Sequence, residues 1–226
     1  MSSSDAQPVD IAGDDGIRVS GLLQAPPQAR ACYVLAHGAG AGMSHPFMAP
    51  VAAELAARGI ASLRYQFPYM ERRAKRPDPP PLAQMTVRAA VAAAARALPD
   101  LALIAGGKSF GGRMTSQAQA KALLPGVRGL AFLGFPLHPA NRPSHDRAAH
   151  LFDVHIPMLF LQGTRDALAA LDQIEPVCKK LGGRATLTLF ENADHSFHVP
   201  ARSGRTDAQI RGEMLDALAS WIDRVI

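Results

Sequence analysis

Two cysteines in 226 residues are too few for a disulfide framework. Cys32 reads as a strand residue and Cys178 as part of a helix core, both as reduced thiols. The first 16 residues hold neither a basic segment nor an apolar stretch, so no secretory signal is expected. No apolar run reaches the length needed to span a bilayer, so no membrane partner is expected either. These absences together predict a cytoplasmic protein. Charge of one sign is also scarce, with a net charge of +5. The one basic cluster, Arg72-Arg73-Ala74-Lys75-Arg76, lacks the aromatic interleaving of a nucleic-acid platform. It reads as a solvated loop face, or as an attractor of an anionic substrate. The dinucleotide pattern G-x-G-x-x-G is missing after the strand at 32–36, and Tyr65 instead of an acidic residue ends the next strand. The histidine spacings, such as five between His145 and His150, match no zinc site, so neither metal nor other cofactor is expected.

What is present describes a soluble globular chain: 48% hydrophobic and 19% charged residues, long enough for one domain with an extensive core. Residues 1–8 read as a flexible tail and 9–226 as a single domain. Residues 9–24 alternate loosely about Asp14-Asp15-Gly16, a hairpin signal. Strands are expected at 32–36, 60–65, 101–105, 127–135, 157–162 and 185–190. Helices are expected at about 46–58, at 82–98 with Asp78 as a candidate cap, and from Ser109 to Leu123. Further helical faces run from Leu168 to Leu181 and from Ile210 to Val225, with a short helix within 144–153. The loop at 66–81 is long, basic and rich in proline. Strand and helix alternate from residue 31 onward, which predicts the α/β class: a mainly parallel sheet with helices on both faces. No repeat is visible, and no insertion is long enough to form a separate cap.

The stretch 101–114 carries the chemistry. A short apolar run meets Gly106-Gly107-Lys108-Ser109-Phe110-Gly111, after which the pattern turns helical. Within it lies G-x-S-x-G, which a chain with 19 Gly and 12 Ser in 226 residues would produce by chance roughly 0.1 times. A serine on a sharp strand-to-helix turn needs a strained backbone, and a Cβ two residues to either side would collide with its neighbours. The N–H of Phe110 then falls at a helix N-terminus, where it can donate to a developing oxyanion.

In an open parallel sheet, ligands gather beyond the carboxyl ends of the strands. Ser109, Asp166 and His195 all follow strands, in that chain order. A serine hydroxyl is a weak nucleophile at neutral pH and needs a base within hydrogen-bond reach. His195 is the candidate base and Asp166 the group that fixes its tautomer. His198 and Asp194 compete for these roles. His195 is preferred because it comes first after the strand, and Asp166 because adjacent side chains such as Asp194 and His195 point apart on an extended turn. Asp153 precedes its strand and is set aside. His45, His138, His145, His150 and His155 read as surface or loop residues. In His37-Gly38-Ala39-Gly40, glycines free main-chain N–H groups to turn inward, so Ala39 or Gly38 supplies a second oxyanion donor.

From about Cys32 to the end, the chain resembles an α/β-hydrolase without a cap, in size and layout close to the dienelactone-hydrolase-like branch. Three stretches narrow the resemblance: His37-Gly38-Ala39-Gly40 with Pro46-Phe47-Met48, Tyr65-Gln66-Phe67-Pro68-Tyr69, and Leu133-Gly134-Phe135-Pro136-Leu137-His138-Pro139. They are similar to a small subfamily of inferred hydrolases that includes the hydrolase-like subunit of an animal histone-acetyltransferase assembly. The resemblance implies a serine hydrolase acting on small esters, thioesters or related acyl compounds, with a small-molecule acyl substrate as its partner. Its animal relative implies a different outcome, a hydrolase-shaped binding or scaffold protein. Dienelactone hydrolases proper carry cysteine where this chain has Ser109, a departure that detaches it from their lactone substrate.

Overall fold

A computed structural model describes residues 5–13 and 16–226. It contains an eight-stranded sheet and six α-helices among the described residues. In chain order the strands are β1 (Gln7–Ala12), β2 (Arg18–Gln24), β3 (Ala31–Ala36), β4 (Ile60–Tyr65), β5 (Ala102–Lys108), β6 (Val127–Leu133), β7 (Met158–Gly163) and β8 (Ala185–Phe190). The helices are α1 (Met48–Ala57), α2 (Pro68–Glu71), α3 (Pro80–Ala97), α4 (Phe110–Lys121), α5 (Leu171–Leu181) and α6 (Asp207–Val225). Across the sheet the order is β1-β2-β4-β3-β5-β6-β7-β8. β2 runs antiparallel to both β1 and β4, and every pairing from β4 to β8 is parallel.

The central strands are apolar on both faces, as a parallel sheet covered twice requires. β3 shows the period of two: Cys32, Val34 and Ala36 join the core formed with α3, α4 and α5. Ala31, Tyr33 and Leu35 join the core formed with α1 and α6. The chain passes from β3 leftward to β4 and then crosses to β5 on the right. The carboxyl ends of β3 and β5 thus flank a topological switch point, where a crevice opens. No cap covers it.

Several expectations shift. Gln7 and Pro8 already pair with Leu23 and Leu22, so the first strand takes up part of the expected tail. The Asp14-Asp15 part of the expected turn lies outside the described residues, as do residues 1–4. β5 does not stop at Gly106 but runs on to Lys108, because Gly106 pairs with Leu35 and Ala131, and Gly107 with Ala36 and Phe132. Asp78 does not cap α3, since the residue before that helix is Pro79 and makes no side-chain cap. The Asp78 carboxylate instead accepts from Tyr69 N–H at 2.8 Å and from the Arg72 guanidinium at 2.8 Å, folding the basic loop back on itself. Arg72 and Arg76 border a hollow with Pro77, Pro79 and Pro80, away from Ser109. Leu168 precedes α5 instead of lying on its face. His138 is buried, its Nε2 accepting from Ala170 N–H at 3.1 Å, and His150 is half-buried against Ser116. The sequence suggests surface or loop positions for both: His138 does lie in a loop, but a buried one, and His150 lies in the 3₁₀ turn Asp146–Asp153. Among the described residues no helix is long and apolar enough to cross a membrane.

Burial of β5 between two strands leaves no room for side chains at its glycines. A Cβ built on Gly106 would lie 1.8 Å from the carbonyl oxygen of Ala131. Gly106→Ala should therefore push β5 from β6 and destabilise the fold by about 3 kcal/mol. Gly183→Ala, where an added Cβ meets nothing within 4 Å, should change stability by less than about 1 kcal/mol. Urea unfolding of both variants checks the contrast.

Candidate active site

Ser109 occupies the one-residue corner between β5 and α4, with φ 50° and ψ −116°, a conformation rare for a residue with a side chain. Two close approaches hold it there. A Cβ on Gly107 would lie 2.2 Å from Ala36 O, and one on Gly111 would lie 2.6 Å from His37 O. The glycines of G-x-S-x-G thus let β5 and the start of α4 press against the end of β3. The corner is pinned by Ser109 N–H donating to Leu133 O at 3.3 Å and Arg113 N–H donating to Ser109 O at 3.1 Å.

Three polar residues from distant parts of the chain meet at this corner. The Ser109 hydroxyl lies 2.8 Å from His195 Nε2, and His195 Nδ1 lies 2.7 Å from Asp166 Oδ2. A carboxylate only accepts, so Nδ1 carries the ring proton and Nε2 is left to accept from the Ser109 hydroxyl. The Asp166 side chain is 0% exposed and that of His195 is 21% exposed, so the acid is hidden and the imidazole edge reaches the crevice. Asp166 is held from three sides: His195 and Gln162 Nε2 (2.5 Å) donate to Oδ2, and Leu168 N–H (2.7 Å) donates to Oδ1. Gln162 accepts in turn from Phe135 N–H at 2.9 Å, linking β7 to the segment after β6. Sequence reasoning missed Gln162, because a glutamine at the end of an apolar strand carries no motif.

The competitors sit elsewhere. His198 is exposed and bonds Asp207 at 2.9 Å, which raises its pKa above the ordinary imidazole value. Asp194 turns away from the imidazole, accepting from the N–H groups of Ser196 (2.7 Å) and His198 (3.0 Å). Asp153 ends a 3₁₀ turn, Asp146–Asp153.

The glycine-rich loop after β3 folds over the same crevice. Gly40 N–H donates to Tyr69 Oη at 2.8 Å, and Ala41 N–H donates to Gly38 O at 3.2 Å. Gly38 and Ala39, which line the crevice with Ser109, remain as the loop's candidate donors, and Phe110 N–H heads α4 where no intrahelical acceptor exists. His37, to which sequence reasoning gave no role, anchors the loop. Its Nε2 accepts from Phe67 N–H at 3.1 Å, which leaves Nδ1 to donate to Gly38 O at 2.7 Å. Burial pushes its pKa down to about 4, so this histidine is a neutral strut at physiological pH. The crevice is a cavity of about 530 Å³ whose walls include Ala39, Ala41, Phe47, Met48 and Leu168, with Ser109, His195 and Lys108 at its base. The basic cluster 72–76 contributes nothing to its lining. Among the described residues, no group of three or more His, Cys, Asp and Glu is placed to hold a metal ion.

Known proteins share this architecture. A dienelactone hydrolase from Anabaena variabilis superposes with a TM-score of 0.79 at 20% identity, covering 100% of both chains. A serine hydrolase without a lid from Xanthomonas campestris gives 0.73 at 21% identity, covering 98% of this chain and 97% of its own. The esterase domain of a Rhodothermus marinus protein gives 0.73 at 16% identity, covering 97% and 98%. At these identities the likeness is one of fold. A family model described as an alpha/beta hydrolase domain matches residues 29–223, which span the six strands β3 to β8 and the helices from α1 to all but the last two residues of α6. With a mostly parallel sheet flanked by helices and a serine at the tight turn after β5, this chain belongs to the alpha/beta hydrolase domain family.

Proposed function

We propose that this protein is a serine hydrolase that cleaves small esters, thioesters or related acyl compounds through an acyl-Ser109 intermediate. The observation that carries the reading is the unbroken hydrogen-bonded line from Asp166 through His195 to Ser109, opening on the cavity. His195 Nε2 takes the hydroxyl proton as Ser109 Oγ bonds the substrate's carbonyl carbon. The negative charge that moves onto the carbonyl oxygen meets the N–H of Phe110 and that of Ala39 or Gly38. As the tetrahedral species collapses, the bond to the leaving group breaks, and that group receives the proton from Nε2. A water molecule then gives a proton to His195 and attacks the acyl carbon. The second collapse returns that proton to Ser109 Oγ and frees the acid. Asp166 keeps Nδ1 as the donor and stabilises the imidazolium throughout.

The substrate class follows from the cavity. Its volume of about 530 Å³ fits a small molecule, and its apolar walls suit short uncharged acyl or alkyl groups. The basic loop does not line it, so the loop supplies no attraction for an acidic acyl group. In this reading the chain groups with cap-less, dienelactone-hydrolase-like serine hydrolases. Kinship with the small subfamily that includes the animal histone-acetyltransferase subunit rests on the motifs at 37–48, 65–69 and 133–139.

Ser109→Ala should abolish labelling by a fluorophosphonate probe and lower turnover of p-nitrophenyl esters by on the order of 10⁶. Labelling that persists in this variant would remove Ser109 from the nucleophile role. Asp166→Asn, which keeps the shape but lets the wrong ring nitrogen carry the proton, should lower kcat by on the order of 10⁴ with little change in KM. Wild-type protein that neither labels nor turns over an ester panel, yet retains a stable partner in pull-downs, would point instead to a binding protein of hydrolase shape.

A further inference from the structure

Lys108, the x before serine in G-x-S-x-G, points its ammonium at the loop that carries His195. Nζ donates to the main-chain oxygen of His195 at 2.5 Å, while the next residue, Ser109, bonds the ring of that same histidine. Two consecutive residues of one strand end therefore grip His195 at two places, main chain and side chain. Nζ also lies 5.6 Å from the centroid of Phe197, a buried ring that packs on Phe190 and Phe47. The 194–198 loop is closed on itself: Phe197 N–H donates to Asp194 O at 3.0 Å and Asp194 N–H donates to His198 O at 2.9 Å. A grip on two of its residues thus sets the whole turn.

The surroundings are shaped for this contact. Gly134, at φ +73°, passes close beside it: a Cβ there would lie 3.1 Å from Lys108 Nζ, 3.3 Å from His195 O and 3.4 Å from His195 Cε1. A side chain there would press on both the ammonium and the imidazole, and the positive φ itself favours glycine. Placing a cation among Phe197, Gly134 and the loop main chain has a desolvation cost that an apolar residue of equal length would not incur. The charge is retained where it holds the base.

We propose that Lys108 is a positioning residue whose ammonium fixes the main chain of His195, so that Nε2 is presented to Ser109. This rests on the reading of Ser109 and His195 as nucleophile and base. The charged groups facing Nζ are Asp166, from the turn after β7, and Asp194, from the loop itself; the His195 imidazole lies beside it. Burial lowers the Lys108 pKa from 10.5 to about 8, and the two carboxylates oppose that shift. Below about pH 8 the group is an ammonium making a charge-assisted bond. Above it the amine donates more weakly, so the grip loosens as pH rises.

The test is the second-order rate of fluorophosphonate labelling from pH 7 to 9.5. Wild-type protein should lose about 5-fold in rate as pH rises through about 8. Lys108→Met, which keeps the stem and removes the charge, should label about 10- to 100-fold more slowly, with no such alkaline fall. Lys108→Arg, a cation that does not titrate in this range, should recover part of the rate and stay flat. A flat wild-type profile, a Lys108→Met variant as fast as wild type, or one that is slow but keeps the alkaline fall would each overturn the proposal. Should Lys108→Met fail to fold by circular dichroism, the wild-type and Lys108→Arg profiles decide. Ser109→Ala separates the two ideas: labelling that survives there defeats the hydrolase reading. Labelling lost there but unchanged in Lys108→Met defeats only the role of Lys108.

Discussion

The backbone at Ser109 is held in a conformation that costs on the order of 1–3 kcal/mol, and the rest of the molecule is arranged to impose it. β5 is clamped between β3 and β6, with glycines where side chains would strike the neighbouring main chain. α4 begins at once, so the serine side chain stands at the crevice. Loosening the clamp would let the turn relax, and Ser109 would no longer face the imidazole. The central sheet is in that sense the support for one side chain.

Around this corner the polar groups form a hierarchy of supports. Gln162 and Leu168 N–H hold Asp166, Asp166 holds the His195 ring, and Lys108 reaches the main chain of His195 from the other side. His37 and Tyr69 hold the glycine-rich loop opposite. On the proposed reading, a proton relay needs its members fixed to within a few tenths of an ångström before substrate arrives, and these outer contacts do that without touching substrate. Burial of the Asp166 side chain strengthens the contacts made to it.

Much of the architecture was legible in the chain because it depends on short-range regularities. Apolar runs of five to nine residues, spaced by helical periods, announced the parallel sheet, and glycine pairs marked the sharp turns. The sequence ends the strand after residue 101 at Ala105, three residues short, since glycine normally ends a strand; here the ladder on both sides carries it on to Lys108. Asp78 misled for a similar reason. A carboxylate before a helix suggests a cap, but a nearby arginine and a free amide at Tyr69 competed for it and won.

The sequence by itself determined the class of fold and nominated Ser109, Asp166 and His195, because strand-end positions and glycine spacing are written locally along the chain. Only the tertiary structure decided which carboxylate and which histidine reach the serine, that the basic loop turns away from the crevice, and that Gln162 and Lys108 belong to the site. The physical reason is distance. A hydrogen bond is made or lost within an ångström, and residues 86 or 29 positions apart reach that range only after the sheet has set the register of every strand between them.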